Sequence, residues 1–277
     1  MDLDWEYPGQ KDRGSPPHDR ERFTSLCQEL SAAYKPNGLL VTAAVKAAVA
    51  ATTISYEVKK ISEALDFVNL MTYDMYGAWK DTTGHNSNTN PDARPHNVHL
   101  TVETWIAQGA DPKKLVLGLA SYGRTFRLAD KCQWELGSPA RGGGSAGRFT
   151  NSAGFLAYYE ICNLKWENHV CTKSRKVHAP YGSFKGNFIG YDDQESIQYK
   201  IKNVMKKHGM KGYMFWALDL DDFSGQVCGQ GRYPLMNAAK NAALGRSESI
   251  RKCKAVTDSC KPTPPPPTTQ PLSLIHI

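Results

Sequence analysis

Short runs of apolar and β-branched residues recur along the chain, and their length and composition predict buried β-strands. The runs occupy residues 3–6, 39–45, 67–73, 115–120 and 212–217. Because their apolar residues are nearly continuous rather than alternating, we expect both faces of these strands to be covered, as in a parallel sheet.

Between the runs, apolar residues recur at helical spacing and predict amphipathic helices that pack on the sheet. These stripes lie within residues 23–34, 58–65, 98–106 and 197–205. The alternation of strand and helix indicates the α/β class, and both an open doubly wound sheet and a closed (β/α)8 barrel fit it. In either architecture the functional side chains are expected at the carboxyl ends of the strands.

The alternation is interrupted between the fourth and fifth runs, in a long interval that contains a glycine-rich segment at residues 141–147. Long structureless loops are uncommon inside compact domains, so residues 124–187 are predicted to form an inserted α+β unit with its own fold. The main domain would then comprise residues 1–123 and 188–246. The Pro- and Thr-rich residues 247–277 are predicted to form a stiff linker and a non-globular tail.

The composition is that of an ordinary globular protein, with 40% hydrophobic and 22% charged residues in a chain of 277. The net charge of +7 is spread along the sequence, which favours a solvated basic surface, and no nucleic-acid partner is predicted. No apolar run approaches the roughly 20 residues that a membrane helix needs, so no membrane partner is predicted either.

The seven cysteines are widely separated, and none forms a C-x-x-C pair, which makes metal-binding and thioredoxin-like functions weak hypotheses. Wide separation fits the disulfides of a secreted protein, and buried free thiols are the alternative. The odd number leaves one cysteine without an intramolecular partner.

Three acids near the start of the chain, Asp2, Asp4 and Glu6, alternate with Leu3 and Trp5. On a strand, residues two apart share one face at a separation of about 6–7 Å. Repulsion among the three carboxylates is expected to raise at least one pKa, and a carboxyl that is protonated near neutral pH suits general-acid cleavage of a glycosidic bond. A solvated acidic terminus and a Ca²⁺ or Mg²⁺ site are alternative interpretations of the same pattern.

The wider sequence resembles glycoside hydrolase family 18, the chitinases. Residues 2–8, Asp-Leu-Asp-Trp-Glu-Tyr-Pro, are similar to the acidic signature of the family, although the first Asp of that signature is absent. Residues 71–74 (Met-Thr-Tyr-Asp), 121–126 (Ser-Tyr-Gly-Arg-Thr-Phe) and 214–219 (Met-Phe-Trp-Ala-Leu-Asp) resemble the motifs of its strands six, seven and eight. The resemblance runs in order from residue 1 to about residue 245.

This resemblance implies a (β/α)8 TIM barrel that lacks its first three βα units, with a small α+β insertion domain after strand seven. The chain is therefore expected to be an N-terminally truncated part of a larger enzyme. Because five of eight strands cannot close a barrel, we expect the isolated chain to fold poorly and to be inactive.

The resemblance also implies a retaining, substrate-assisted mechanism, in which the 2-acetamido group of the sugar is the nucleophile. Glu6 is then the proton donor, Asp4 orients the acetamido group, Asp2 tunes Asp4, and Tyr73 binds the acetamido carbonyl. The residues that the family motifs assign to substrate binding are Tyr7, Met71, Asp74, Trp79, Tyr122, Arg124 and Trp216. No metal and no cofactor are expected.

Further implications concern the cysteines and one departure from the family. Cys162 and Cys228 are expected to pair. Cys253 with Cys260 and Cys132 with Cys171 are weaker suggestions, which leave Cys27 as the odd thiol. Lys46 stands where the family usually has a proline or a small residue, and it puts a charge near the cleft.

The implied protein is a secreted, monomeric endochitinase that acts on chitin and chito-oligosaccharides, with a chitin-binding module as a possible neighbour beyond the linker. The alternative is a chitinase-like lectin, in which the same barrel binds chitin without hydrolysis. The presence of Glu6 favours the enzyme, because lectins of the family usually replace this acid.

Overall fold

A computed structural model describes residues 1–89, 97–172, 179–246, 250 and 253–257. The helices are α1 (Asp19–Tyr34), α2 (Val49–Ser55), α3 (Val58–Ala64), α4 (Val98–Ala107), α5 (Tyr158–Ile161), α6 (Gln194–Lys200) and α7 (Pro234–Ala243). A π-helical turn, Ile201–Met205, continues α6.

The strands fall into two groups. The first group comprises the strands β1 (Asp2–Leu3), β2 (Thr42–Lys46), β3 (Phe67–Met71), β4 (Leu115–Ala120) and β11 (Gly212–Trp216). The second group comprises the strands β5 (Tyr122–Leu128), β6 (Ala140–Gly143), β7 (Phe155–Ala157), β8 (Asn168–Val170), β9 (Tyr181–Phe184), β10 (Asn187–Gly190) and β12 (Val256–Thr257).

The first group forms one five-stranded parallel sheet in the order β1-β2-β3-β4-β11, so each predicted apolar run contributes a strand. The parallel sheet and its helices confirm the α/β class. Helices α1, α3, α4, α6 and α7 supply buried residues to the core over the sheet, where Trp105 is fully buried. None of the described helices is long and apolar enough to cross a lipid bilayer.

Burial falls from the middle of this sheet to its edges. Every residue of β4 is buried, whereas the residues of β11 are all at least partly exposed, and Asp2 in β1 is exposed. Within the described residues, β1 and β11 are the two edges of the sheet. The pairing of β1 with β2 ends at Leu3, earlier than the predicted strand, and the acidic residues 4 and 6 lie beyond it.

The second group forms a seven-stranded sheet in the order β12-β8-β9-β10-β5-β6, with β7 paired to β5, and all of its pairings are antiparallel. It comprises strands from within the predicted insertion and from both sides of it. Its strand β5 begins two residues after β4 ends, so the chain passes directly from the parallel sheet to the antiparallel one.

The disulfides agree with the sequence in one case and correct it in two. Cys162 and Cys228 are bonded, as the family resemblance implies, and Cys27 is a buried free thiol. Cys171 is bonded to Cys253, so the suggested pairs Cys253–Cys260 and Cys132–Cys171 are both wrong. Residues 171 and 253 are 82 positions apart, and the packing of residues 253–257 against the second sheet brings them together.

The same disulfide changes the picture of the predicted tail. Within residues 247–277, the described segment 253–257 is held to the second sheet by the Cys171–Cys253 bond and by the pairing of β12 with β8. This segment is therefore attached rather than free. The polyproline stretch and residues 270–277 lie outside the described residues.

A fully buried ion pair at α6 is connected through Ser87 to the segment that follows β3. The Lys200 ammonium donates to both carboxylate oxygens of Asp192, at 2.8 and 2.7 Å, and to Oγ of Ser87 at 2.6 Å. Ser87 donates in turn to the carbonyl of Thr72, just beyond β3, at 2.5 Å. Lys200 and Asp192 have side-chain exposures of 0% and 1%, so neither charge can be solvated if the other is removed.

We predict that Lys200→Met destabilises the protein by about 3–5 kcal/mol, because it leaves the Asp192 carboxylate buried without its cation. The double variant Lys200→Met/Asp192→Leu should lose less than the single variant, because it removes both charges. Urea unfolding of the complete protein measures both. The matched control is Lys202→Met, at an exposed position two residues away; a Lys200→Met loss no larger than that of the control would contradict the argument.

Candidate active site

A cavity of about 400 Å³ opens at the carboxyl ends of the parallel strands. It is lined by residues at or just beyond the ends of β1, β2 and β3, by the start of β5, by the first residue of β7 and by the last residue of β11. The lining residues are Asp4, Glu6, Tyr7, Lys46, Ala47, Ala48, Met71, Tyr73, Asp74, Met75, Trp79, Lys80, Tyr122, Arg124, Phe155 and Trp216. All the residues predicted for catalysis and substrate binding are therefore in one cavity, with the exception of Asp2.

Side-chain exposure alternates along residues 2–6, as the sequence predicts. Asp2, Asp4 and Glu6 are exposed, whereas Leu3 and Trp5 are half-buried and pack against the core. Trp5 contacts Phe23 of α1 edge to face, with 6.1 Å between ring centroids. The packing of the two apolar side chains leaves the acids on the open side of the chain.

Asp2 lies behind the cavity rather than in its wall. Its Oδ1 accepts hydrogen bonds from Oγ1 of Thr42 at 2.5 Å and from Nδ2 of Asn69 at 3.2 Å. Although Asp4 is exposed, partial desolvation of its carboxyl raises its pKa, and the charges of Glu6 and Asp2 raise it further. The expected mutual repulsion is thus found at Asp4, and Asp2 acts on the cavity through its charge.

The positions of the three acids can be compared with the alternative of a Ca²⁺ or Mg²⁺ site. Among the described residues, the carboxylates of Asp2, Asp4 and Glu6 do not converge within the 4.8 Å that would let them share one ion. The group that does converge is His169, Cys171 and Cys253, outside this cavity. Since both of its sulfur atoms belong to a disulfide, they are not available as thiolate ligands.

Three tyrosine hydroxyls border the cavity. Burial raises the pKa of Tyr73, and the nearby Asp74 carboxylate raises it further. Burial and a hydrogen bond to Glu6 raise the pKa of Tyr7, and burial together with Asp74 raises that of Tyr122. All three therefore stay protonated at neutral pH and can donate hydrogen bonds.

An ordered ion pair forms the opposite wall. Arg124 donates two hydrogen bonds to the Asp74 carboxylate, at 2.7 and 2.8 Å, and the Tyr122 hydroxyl donates to the same carboxylate at 2.7 Å. The Arg124 guanidinium also lies over the rings of Trp79, Tyr122 and Phe155, at 5.1 to 5.5 Å from their centroids. This single cation orients a carboxylate and three aromatic faces around the cavity.

The backbone beneath this wall is held by the loop that includes Asn86. Asp74 has a φ of 56°, a left-handed conformation that is unfavourable for a residue with a side chain. Its backbone N–H donates to Oδ1 of Asn86 at 3.0 Å, and Nδ2 of Asn86 donates to the carbonyl of Tyr122 at 3.1 Å. One amide thus ties the end of β3 to the start of β5 and fixes the direction of the Asp74 carboxylate.

Two tryptophans present open faces at the rim. Trp79 is 58% exposed and Trp216 is 53% exposed, although both are large apolar side chains. Exposed aromatic faces beside a polar cavity suit stacking on a ligand that has both apolar C–H faces and hydroxyl groups. By contrast, Trp105, Trp134 and Trp166 pack within clusters of other apolar or aromatic side chains.

Some cavity residues were not found from the sequence. Phe155 stacks on Tyr122 with 4.7 Å between centroids, but it belongs to β7 of the second sheet and to no motif. Only the pairing of β7 with β5 carries it to the cavity. Asp192 and Asp193 do not line the cavity, because Asp192 is bound to Lys200 and Asp193 caps α6 by accepting from the Ser196 N–H at 2.8 Å.

Comparison with known proteins identifies the class of this site. Residues 1–221 match the family described as glycosyl hydrolases family 18. The chain is 39% identical to chitotriosidase-1 of Mus musculus over 279 aligned residues, which cover 96% of this chain and 59% of that protein. The chain thus spans about 59% of the length of that relative.

Two solved structures are similar throughout most of the chain. Catalytic domain 2 of the group II chitinase of Ostrinia furnacalis has a TM-score of 0.84 at 35% identity, with 91% of this chain and 68% of that chain covered. Human YKL-39, described as a pseudo-chitinase with retained chitooligosaccharide binding properties, has a TM-score of 0.80 at 38% identity, with coverage of 88% and 68%. The chain belongs to glycosyl hydrolases family 18, and the resemblance read from its motifs is confirmed.

Proposed function

We propose that the protein hydrolyses the β-1,4 linkages of chitin by a retaining, substrate-assisted mechanism with Glu6 as the general acid and base. The observation that carries the proposal is the arrangement of Glu6, Asp4 and Tyr73 in one aromatic-rimmed cavity at the carboxyl ends of the strands. Its family membership and the chitinases among its structural relatives support the same reaction.

In the first step, the protonated Glu6 carboxyl transfers its proton to the glycosidic oxygen as the bond from that oxygen to the anomeric carbon breaks. The carbonyl oxygen of the 2-acetamido group forms the new bond to the anomeric carbon, which yields an oxazolinium ion and releases the leaving sugar. In the second step, the Glu6 carboxylate takes a proton from water, and that water opens the ring with net retention of configuration.

Asp4 and Tyr73 support the nucleophile in this scheme. The Asp4 carboxylate accepts a hydrogen bond from the acetamido N–H and stabilises the positive charge that develops on the oxazolinium ring. The Tyr73 hydroxyl, which burial keeps protonated, donates to the acetamido carbonyl oxygen. Asp2 adjusts the charge state of Asp4 from behind the cavity, since its charge raises the pKa of Asp4.

The other cavity residues bind sugars. Trp216 forms the floor beneath the distorted sugar, and Trp79 is an outer stacking face. Asp74, Tyr122 and Arg124 contact sugars on the leaving side through one hydrogen-bonded unit. Met71 and Tyr7 complete the walls beside Glu6.

A lectin is the second candidate, and the likeness to human YKL-39 favours it. A lectin needs only the sugar-binding walls, whereas hydrolysis also needs a proton donor at position 6. Glu6 is present and lines the cavity with Asp4, so we favour the enzyme.

For the whole protein we propose secretion as a monomer, with chitin and chito-oligosaccharides as its ligands. The disulfides Cys162–Cys228 and Cys171–Cys253 support an oxidising compartment. The proposed reaction requires no metal or cofactor.

Replacement of Glu6 by Gln in the complete protein should lower kcat by at least about 100-fold, because the amide cannot donate the proton in the first step. Binding should change little, with the Kd for a chito-oligosaccharide within about threefold of the wild type, because Gln retains the size and polarity of Glu. Hydrolysis of a chromogenic oligosaccharide and calorimetric titration measure the two quantities.

The matched control is Glu29→Gln, at an exposed position of α1 that does not line the cavity. It should retain wild-type rates. Wild-type turnover by Glu6→Gln would remove the proton-donor role, whereas a wild-type protein that binds the oligosaccharide without turnover would support the lectin.

The 277-residue chain purified alone should hydrolyse chito-oligosaccharides at less than about 1% of the rate of the complete protein. The physical reason is that, within the described residues, the parallel sheet has two edges, β1 and β11, and the apolar residues of β11 are partly exposed. Binding of a hydrophobic dye reports the exposed surface, and kcat/KM reports the activity. Robust turnover by the isolated chain, without dye binding, would overturn this expectation.

A further inference from the structure

We propose that Lys46 makes the cleft select N-acetylated sugars over amine-bearing sugars in the units on either side of the sugar whose acetamido group takes part in the reaction. This inference rests on the proposed function, because it assigns the substrate preference of the same cavity. It concerns a residue that the chemistry of bond cleavage does not use.

Lys46 is the last residue of β2, and its backbone lies in register with Met71 at the end of β3. Both residues line the cavity together with Glu6 and Tyr7. The backbone N–H of Lys46 donates to the hydroxyl of the buried Tyr56 at 3.1 Å. The backbone of Lys46 is therefore held at the carboxyl end of β2, at the edge of the cavity.

The ammonium of Lys46 is also held in place. It donates to Oε1 of Gln10 at 2.6 Å, and Nε2 of the same Gln10, which is 8% exposed, donates to Oγ of Ser55 at 3.0 Å. It lies 4.5 Å from the centroid of the Tyr7 ring. Glu6 lines the same cavity as Tyr7 and Lys46, and its charge acts on both of them.

These partners position the charge without neutralising it. Gln10 and the Tyr7 ring are neutral, and the ion pairs among the described residues do not include Lys46. Burial lowers the pKa of Lys46, and the charges of Asp12 and Glu6 oppose that effect without a direct contact. A second cation, Arg13, lies over the same Tyr7 ring at 5.5 Å from its centroid. The wall beside Glu6 therefore presents positive charge to any ligand in the cavity.

The other charges of the cavity do not cancel this effect. Its lining contains three acids, Asp4, Glu6 and Asp74, and three bases, Lys46, Lys80 and Arg124. Asp74 and Arg124 neutralise each other. In the Glu6→Gln variant the lining therefore keeps one free carboxylate, Asp4, against the ammonium groups of Lys46 and Lys80.

Chitin and its deacetylated form differ in the charge at the 2-position of each sugar. The acetamido group is neutral, whereas the free amine is protonated in mildly acidic buffer. A sugar ammonium near Lys46 is repelled, and inside a partly desolvated cavity this repulsion exceeds its value in bulk water. The sugar at the cleaved bond must carry an acetamido group for chemical reasons, so the effect of Lys46 is measured on the flanking units.

The test uses two chito-oligosaccharides of equal length, one fully acetylated and one with free amines only in the flanking units, in mildly acidic buffer of low salt. Calorimetric Kd values are measured for the complete protein in the Glu6→Gln background, which prevents turnover during the titration. The selectivity is the Kd for the amine-bearing oligosaccharide divided by the Kd for the acetylated one.

Lys46→Met, which removes the charge and shortens the unbranched side chain by only the terminal atom, should lower the selectivity about tenfold, or about 1.4 kcal/mol. Lys46→Arg retains the charge and should retain the selectivity within about twofold, as should Lys202→Met, an exposed lysine of the π-helical turn. Added salt should reduce the selectivity of the wild type, because the interaction is electrostatic.

Binding of both oligosaccharides with the same selectivity in Lys46→Met and in the parent would overturn the inference and leave the proposed function standing. If Lys46→Met lowers the selectivity as expected but the wild-type protein does not hydrolyse the oligosaccharide, the inference stands and the proposed reaction is overturned. If the parent binds neither oligosaccharide, both are overturned.

Discussion

The buried ion pair between Lys200 and Asp192 is the interaction on which the arrangement of the site depends. Its two charges are removed from water, and they are compensated only because Ser87 and Ser196 supply further hydrogen bonds. Buried charges tolerate little misplacement, since an unpaired charge in the interior is costly. Through Ser87 and the Thr72 carbonyl, this requirement fixes the loop that follows β3, and with it the positions of Tyr73 and Asp74.

The cavity is assembled where two sheets of different kind meet. The parallel sheet supplies the acids and Tyr73 at its strand ends, and the antiparallel sheet supplies Arg124 and Phe155. The Asp74–Arg124 pair crosses this boundary, and the aromatic rings around Arg124 depend on it. An antiparallel insertion beside a parallel sheet can therefore shape the binding wall while the strand ends keep the reacting groups in place.

Electrostatics divides the cavity into two sides. On one side, Arg124 saturates the Asp74 carboxylate and leaves a polar, nearly neutral wall suited to hydroxyl groups. On the other, Lys46 places a cation, held by the neutral Gln10, beside Tyr7 and Glu6. The first arrangement follows from the family motifs, whereas the second belongs to this chain and makes its ligand preference a question separate from its chemistry.

The sequence by itself determined the parallel strands and the grouping of most site residues, because apolar periodicity and strand-end motifs are local signals. It also determined which way the acids point, since Leu3 and Trp5 must pack inward. It missed Phe155, the Cys171–Cys253 bond and the early end of β1. Those features were decided by the tertiary structure alone, because each depends on the register and packing of segments far apart in sequence, which no local pattern encodes.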